Sequence, residues 1–376
     1  MLKNLSPQSP DALLALIKLY GADNRSDKVD LGVGVYRTGQ GDTPVFEAIK
    51  RAEQVLVDTQ DTKAYLGPEG DMGRGGSISG MQTPGGTGAV RLAVALAQRA
   101  GVKKLHVGTP SWPNHAQILG DIALEMVPFD HANSDGTANA DAVLGIIKNA
   151  AEGEGVLLHA SCHNPTGIDY SNEQWDAIAA ALAESACFPI VDCAYQGLGD
   201  GMEEDAYGLR KVIDTVSEAF VAYSCDKNFG VYRDRVGAFY AMSDNADTLE
   251  TVFSNANALA RASWSMPPDH GGAAARVILR DSELTQVWLD ELAQMRQRMR
   301  QVRDELAKTG TAGSVDLTPL GTQNGLFAML PVSKEQVVQL REDHAIYMAG
   351  SGRINIAGLH MGNIAKFVSA LADVTG

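Results

Sequence analysis

A chain of 376 residues is long enough for one large enzyme core or two domains, and its 45% hydrophobic and 20% charged content describes a globular chain without long disordered tracts. A formal charge of −15, from 31 basic and 46 acidic residues, repels phosphate backbones and anionic lipid, so neither nucleic acid nor a membrane is an expected partner. Cys162, Cys187, Cys193 and Cys225 lie in or beside apolar runs, without zinc-ribbon spacing or disulfide density. The opening residues have no signal-peptide core and no stretch is long enough to span a bilayer, so the expected setting is a reducing cytoplasm.

In chain order, Ser9-Pro10 reads as the start of a helix carrying Leu13, Leu14, Leu16, Ile17 and Tyr20 at helical spacing. KVDLGVGVY then reads as a strand, and GGTGAVRLAVALAQRAG as a glycine turn opening a helix that Gly101 can end. Short apolar runs follow, VLLHA, FPIVD, FVAYS and VGAFYAM, separated by helical patterns such as EQWDAIAAALAES. That order predicts an α/β fold. From Asp281 to Gly310 a long helical pattern carries Leu284, Trp288, Leu292, Met295, Met299 and Leu306 on one face, and the arginines of MRQRMRQVR read as its solvated side. SVDLTPLGTQNGLFAML, the helix SKEQVVQLREDH and the strands IYMAG and RINIAG suggest a smaller α+β domain.

Ligands of open α/β sheets gather beyond the carboxyl ends of the strands, which singles out His163, Asn164, Asp192, Tyr195 and Ser224 to Lys227. TPGGTGA, opening a helix, offers free backbone N–H groups to a phosphate, although it lacks both a P-loop lysine and GxGxxG spacing, and a short glycine turn before a helix is by itself more often structural. HASCH resembles a metal cluster only superficially: strand alternation turns His159 and Cys162 apart, and no metal is expected. Asp192 closes the apolar run FPIV and needs a cation or a donor, unless it caps the next turn. Lys227 is either a surface charge or an amine whose ammonium is destabilised by desolvation, which favours imine chemistry. Taken together, an anion site at Gly86-Thr87, a carboxylate at Asp192 and an amine at Lys227 match the phosphate, ring nitrogen and aldehyde of pyridoxal 5′-phosphate.

LGVGVY with TPVF, YLGPEG, QTPGGTGA, PSWPNH, CHNPTG, DCAYQG, SCDKNFGVYRDRVG, RASWSMPP, QNGLF and SGRINIAG occur in one order along nearly the whole chain. In these motifs the sequence resembles the class I aspartate and aromatic aminotransferases of fold type I. The resemblance implies a large domain with a mixed, mostly parallel sheet flanked by helices, over residues 45–295. It also implies an N-terminal arm with part of a small domain over 1–44, and a small α+β C-terminal domain over 296–376. YLGPEGD, SCHNPTG and SMPPDHG are closer in wording to aromatic-accepting bacterial members. The implied reaction is transamination between an aromatic or acidic L-amino acid and 2-oxoglutarate by a two-half-reaction, ping-pong cycle. Alternatives are a strict aspartate aminotransferase, another reaction on the same cofactor, or a catalytically impaired binder of cofactor or amino acid.

Carried over residue by residue, the resemblance makes Lys227 the Schiff-base lysine and proton-transfer base, with Asp192 on the ring nitrogen and His115 supporting that aspartate. Trp112 is implied to stack on the ring, and Asn164 and Tyr195 to bond its phenolic oxygen, with Trp112 and Asn164 also touching substrate. Gly86, Thr87, Ser224 and Arg235 are the implied phosphate ligands, joined by Tyr65 from a second subunit, which makes a homodimer the expected assembly. Arg353 is implied to clamp the substrate α-carboxylate beside Gly34, and Arg261 of the neighbour to take a distal carboxylate. Two departures stand out. Asp226 replaces the small residue that usually precedes the lysine, and its carboxylate is expected to turn away from the phosphate. Where the family carries a further helix, between YLGPEGD and SGMQTPGG, only MGRGGSI remains.

Overall fold

The computed structural model describes residues 2–4, 12–70 and 74–376, and the chain divides into two units. The larger holds residues 44–297 and 323–325; the smaller takes the described residues of 1–43 with 298–322 and 326–376. The Ser9-Pro10 helix start lies outside the described residues; the helix itself is seen over Ala12–Ala22.

The larger unit is built on one sheet of eight strands. These are β1 (Arg74–Gly75), β2 (Ile78–Pro84), β3 (Lys104–Thr109), β4 (Glu125–Asp130), β5 (Glu154–His159), β6 (Phe188–Cys193), β7 (Glu218–Ser224) and β8 (Val236–Ser243). Their order is β1-β2-β8-β7-β6-β5-β3-β4, and the run from β7 to β4 is parallel while β8 and β2 pair antiparallel. Helices α1 (Gly85–Arg99), α2 (Pro113–Asp121), α3 (Asn172–Ala183), α4 (Ala246–Ser263) and α5 (Ser282–Thr309) bear most on the site.

Strand side chains alternate between faces, and both faces are buried. Leu157 and Ile190 pack with Val90 and Leu92 of α1, Leu119 of α2 and Phe253 of α4. Their neighbours Val156, Leu158 and Val191 point the other way, onto Trp175 and Ile178 of α3. Apolar residues surround α1, which is buried along almost its whole length, as expected of a helix apolar on all sides. A capping box, Ser171 with Gln174, sets the start of α3.

The apolar runs expected as strands appear as β5 to β8, whereas β2 to β4 are not evident in the sequence pattern. Gly80, Gln82 and Pro84 interrupt the apolar alternation of β2, and β4 is a half-exposed edge strand that tolerates Pro128. Within MGRGGSI, over the described residues from Arg74 onward, β1 and β2 form a tight antiparallel hairpin, Gly75 opposite Ile78, with Gly76 at a φ of +59° avoided by residues with side chains. The long helix α5 starts and stops within a residue of its expected limits, and its residues from Arg298 onward belong to the smaller unit.

The smaller unit draws on both chain ends. Of KVDLGVGVY only Val29–Asp30 is a strand, parallel to Ile346–Tyr347, and Phe327–Met329 pairs antiparallel with Arg353–Asn355. Helices Lys334–His344, begun by a Ser333–Gln336 capping box, and Ile364–Thr375 complete it.

Candidate active site

Register alone gathers the first residues of the site. Pro84 at the end of β2 lies opposite Val236 at the start of β8, and Ser224 at the end of β7 opposite Gly237. Gly85, Gly86 and Thr87 in the first turn of α1, Ser224 and Arg235 are thereby drawn to one corner of the sheet. Asp192 on β6 and Asn164 after β5 end the neighbouring parallel strands, where such sheets bind ligands. One pocket is lined by Gly86, Thr87, Asn164, Asp192, Ser224 and Arg235 together with Trp112, His159, Ala194, Tyr195, Asp226 and Lys227.

At its base Asp192 is buried and His115, with no exposed surface, donates from Nε2 to Asp192 Oδ2 at 3.0 Å. The other ring nitrogen of His115 lies 2.9 Å from the Ser111 hydroxyl, which can donate to it and so suits the tautomer whose Nε2–H faces Asp192. Burial pushes the Asp192 pKa up, but the His115 hydrogen bond and the electrostatic pull of His115 and Lys227 outweigh it and hold the carboxyl below its ordinary value. Behind this pair stand further buried imidazoles. His159 lies 5.2 Å from His115 and 4.2 Å from His163 between ring centroids, and His163 stacks on His131 at 3.6 Å. Burial lowers the pKa of His131 to about 4 and that of His159 to about 3, so these rings are neutral.

Half-buried Lys227 places Nζ 5.2 Å from the centroid of the Tyr195 ring, with no carboxylate of a described residue at ion-pair distance. Desolvation is the main cause lowering its pKa, against the opposing pull of Asp226 and Asp192. Asn164 Nδ2 donates to the Tyr195 hydroxyl at 3.2 Å, while its buried Oδ1 has no partner among the described residues. Trp112 immediately precedes α2 and meets the His115 ring edge-on at 5.1 Å.

The corner at α1 is tightly built. A Cβ on Gly86 would sit 2.8 Å from that of Ser224, and one on Gly85, at a φ of +68°, would meet Arg235 Nη2 at 2.4 Å. Asp226 does not turn away from this corner, contrary to the sequence expectation. Its Oδ2 accepts a short hydrogen bond from Arg235 Nη1, and Oδ1 accepts the Val236 N–H at 3.0 Å. The reason is physical: a buried carboxylate requires donors, and Arg235 with Val236 N–H supplies them. Burial nevertheless dominates and raises the Asp226 pKa, against Lys227 and Arg235.

Five predicted residues do not line the pocket: His115, which stands behind Asp192, and Tyr65, Arg261, Gly34 and Arg353. Tyr65 is 93% exposed, and Arg261, also exposed, ends α4 with Nη1 donating to Ser265 Oγ at 2.5 Å. Gly34 and Arg353 belong to the smaller unit and meet around Phe327: a Cβ on Gly34 would lie 2.6 Å from Phe327 Cζ, and the Arg353 guanidinium sits 4.4 Å from that ring's centroid. Arg353 Nη2 also donates to the Gly32 carbonyl at 3.1 Å.

The family described as Aminotransferase class I and II matches residues 76–371. The chain belongs to this aminotransferase family. A tyrosine aminotransferase of Rhizobium meliloti is 47% identical and an aspartate aminotransferase of Escherichia coli 38% identical, each matched over the full length of both chains. A solved aromatic-amino-acid aminotransferase of Burkholderia pseudomallei, covalently bound to pyridoxal phosphate, superposes with a TM-score of 0.94 at 31% identity, with both chains fully covered. The fold of this aminotransferase is therefore fold type I, and its family depends on pyridoxal phosphate.

Two lining residues of the aminotransferase escape the sequence reading of its site, His159 and Ala194. His159 carried a signal, since it ends the apolar run of β5; Ala194, a small residue between Asp192 and Tyr195, carried none. Ligand atoms of His115, His159 and Asp192 lie within 4.8 Å of one another, a spacing that could hold an ion. In this aminotransferase the hydrogen bond between His115 and Asp192 already engages two of the three.

Proposed function

We propose that this aminotransferase exchanges an amino group between an aromatic or acidic L-amino acid and 2-oxoglutarate in a ping-pong cycle of two half-reactions, with pyridoxal 5′-phosphate in the pocket of the larger unit. The observation that carries this reading is a half-buried lysine amine sharing a pocket with a buried, ionised aspartate. The unpaired Oδ1 of Asn164 and the glycine cradle at Ser224 support the fit, because both are suited to a ligand's polar atoms coming close.

In this reading the backbone of Gly86 and Thr87, the Ser224 hydroxyl and Arg235 hold the phosphate, with Tyr65 of a second copy. Asp192 pairs with the ring nitrogen, Trp112 stacks on the ring, and Asn164 and Tyr195 bond the phenolic oxygen. When bound, the cofactor supplies an aldehyde for the amino nitrogen and a ring that draws electrons from the amino acid's α-carbon. Lys227 is its attachment point and the base that holds the α-proton at Nζ. A lowered pKa leaves more of that amine neutral and ready to accept a proton. His115 keeps Asp192 ionised, so the carboxylate stabilises positive charge at the ring nitrogen throughout.

Arg353 takes the substrate's α-carboxylate beside Gly34, while Arg261 of a second copy takes the distal carboxylate of aspartate or glutamate. The active unit is thus a homodimer. The similarity to a tyrosine aminotransferase supports aromatic donors. We place the protein in the cytoplasm; among the described residues no helix is long and apolar enough to cross a membrane.

Purified protein supplied with cofactor, 2-oxoglutarate and either tyrosine, phenylalanine or aspartate tests the proposal. Oxo acid and glutamate should appear in equal amounts. Oxo acid or amine without glutamate would reveal a different reaction on the same cofactor, and no product from any donor would contradict catalysis altogether.

A further inference from the structure

The corner assigned to the cofactor's phosphate already holds a carboxylate. Asp226 bonds Arg235 Nη1 through Oδ2 and the Val236 N–H through Oδ1, with its side chain 3% exposed against 40% for Arg235. A Cβ on Gly85 would touch Asp226 Oδ2 at 2.8 Å as well as Arg235, so the ion pair lies directly against the backbone that opens α1. An aspartate in that place puts negative charge beside the positive end of the helix and pairs with Arg235, the one arginine among the described residues that lines the pocket. The cations facing Asp226 are Arg235 and Lys227.

We propose that Asp226 is an internal counter-ion for Arg235, which an incoming phosphate must displace, so that this chain holds phosphorylated cofactor more weakly than it would with a neutral residue at position 226. The inference rests on the assignment of this corner to the phosphate. Its physical basis is that a phosphate dianion placed beside the carboxylate competes for the same guanidinium and meets a like charge in a poorly solvated place. The opposite outcome is also physically defined. If Asp226 instead positions Arg235 for the phosphate, removing its charge releases the guanidinium and weakens binding.

Apoenzyme and its Asp226→Asn variant distinguish the two. Asparagine can still accept the Val236 N–H through Oδ1 but carries no charge, and Asp226→Ser, measured alongside, guards against a variant that misfolds. Calorimetric titration with inorganic phosphate, with pyridoxal 5′-phosphate and with unphosphorylated pyridoxal gives three dissociation constants. Both phosphate-bearing ligands should bind the variants at least about tenfold more tightly, while pyridoxal changes by less than about twofold. Unchanged or weaker phosphate binding, or an equal gain for pyridoxal, overturns the counter-ion. Inorganic phosphate also separates this inference from the cofactor reading. Tighter phosphate binding in a protein that never binds the cofactor supports the counter-ion and removes the cofactor; cofactor binding with no gain in the variants does the reverse.

Discussion

The pocket has a buried aspartate at each end, and the two are held in opposite ways. Asp192, against the fully enclosed His115, is kept below its ordinary pKa, whereas Asp226, against the more exposed Arg235, is raised above it by burial. An imidazole buried with its carboxylate, and itself oriented by Ser111, compensates charge where water is absent. A guanidinium with one side open to solvent compensates less. The first end is thus prepared to present a negative charge to a ligand, and the second to give up its partner to one.

Removing the amine between them gives the largest expected effect. Lys227→Ala should lower kcat by up to about 10⁴-fold. Its melting temperature should stay the same or rise, since Nζ makes no hydrogen bond to a described residue and its desolvation is lost. Residual activity near that of the parent would show that both ends serve some other base.

Next comes the Asp192 end itself. Asp192→Asn keeps the shape but removes the charge that His115 sustains, and kcat should fall roughly 10²- to 10³-fold in steady-state assays. A loss confined to cofactor affinity, with kcat restored at saturation, would mean that this end only binds.

Arg261→Leu sharpens the contrast from the substrate side. kcat/KM for aspartate and glutamate should drop about 10- to 100-fold, the worth of a charged hydrogen bond, with a much smaller loss for phenylalanine. Equal losses would remove Arg261 from the distal-carboxylate role.

The smallest change concerns the neutral histidines behind Asp192. His131 has a folded pKa of about 4 against an ordinary 6.5, because burial disfavours its charged form. Between those values the unfolded chain binds a proton that the folded chain does not, so stability falls as pH drops through the window, by at most about 1.4 kcal/mol per pH unit for each such ring. Asp169, pushed up to about 6 by burial, works the other way, gaining stability as pH falls below that value. Denaturant unfolding from pH 7 to 4 should give a shallower slope in His131→Phe than in the parent; identical slopes would show that the ring titrates as if exposed.

Much of this was legible in the sequence because the chemistry follows the strands. β5, β6 and β7 are apolar runs that stop at a polar group, and Asn164, Asp192 and Ser224 fall where each run stops. The direction of Asp226 was not legible. It depends on register, Ser224 against Gly237, and on Arg235 adopting a φ of +55°, neither of which local pattern encodes. The same holds for β2, whose glycine, glutamine and proline hide a strand, and for the short hairpin that β1 and β2 form from Arg74 onward. The pocket role of His159 was obscured because strand alternation was applied to HASCH as a whole, although β5 ends at His159 and Cys162 lies beyond it at a φ of +51°.

The central claim is that the amine of Lys227 is where this aminotransferase holds its cofactor. Borohydride reduction of the protein loaded with pyridoxal 5′-phosphate, followed by digestion and mass spectrometry, tests it directly. The account predicts a stable phosphopyridoxyl adduct on the peptide containing Lys227 and on no other. An unmodified Lys227 in protein that has bound cofactor, or an adduct on a different lysine, would contradict it.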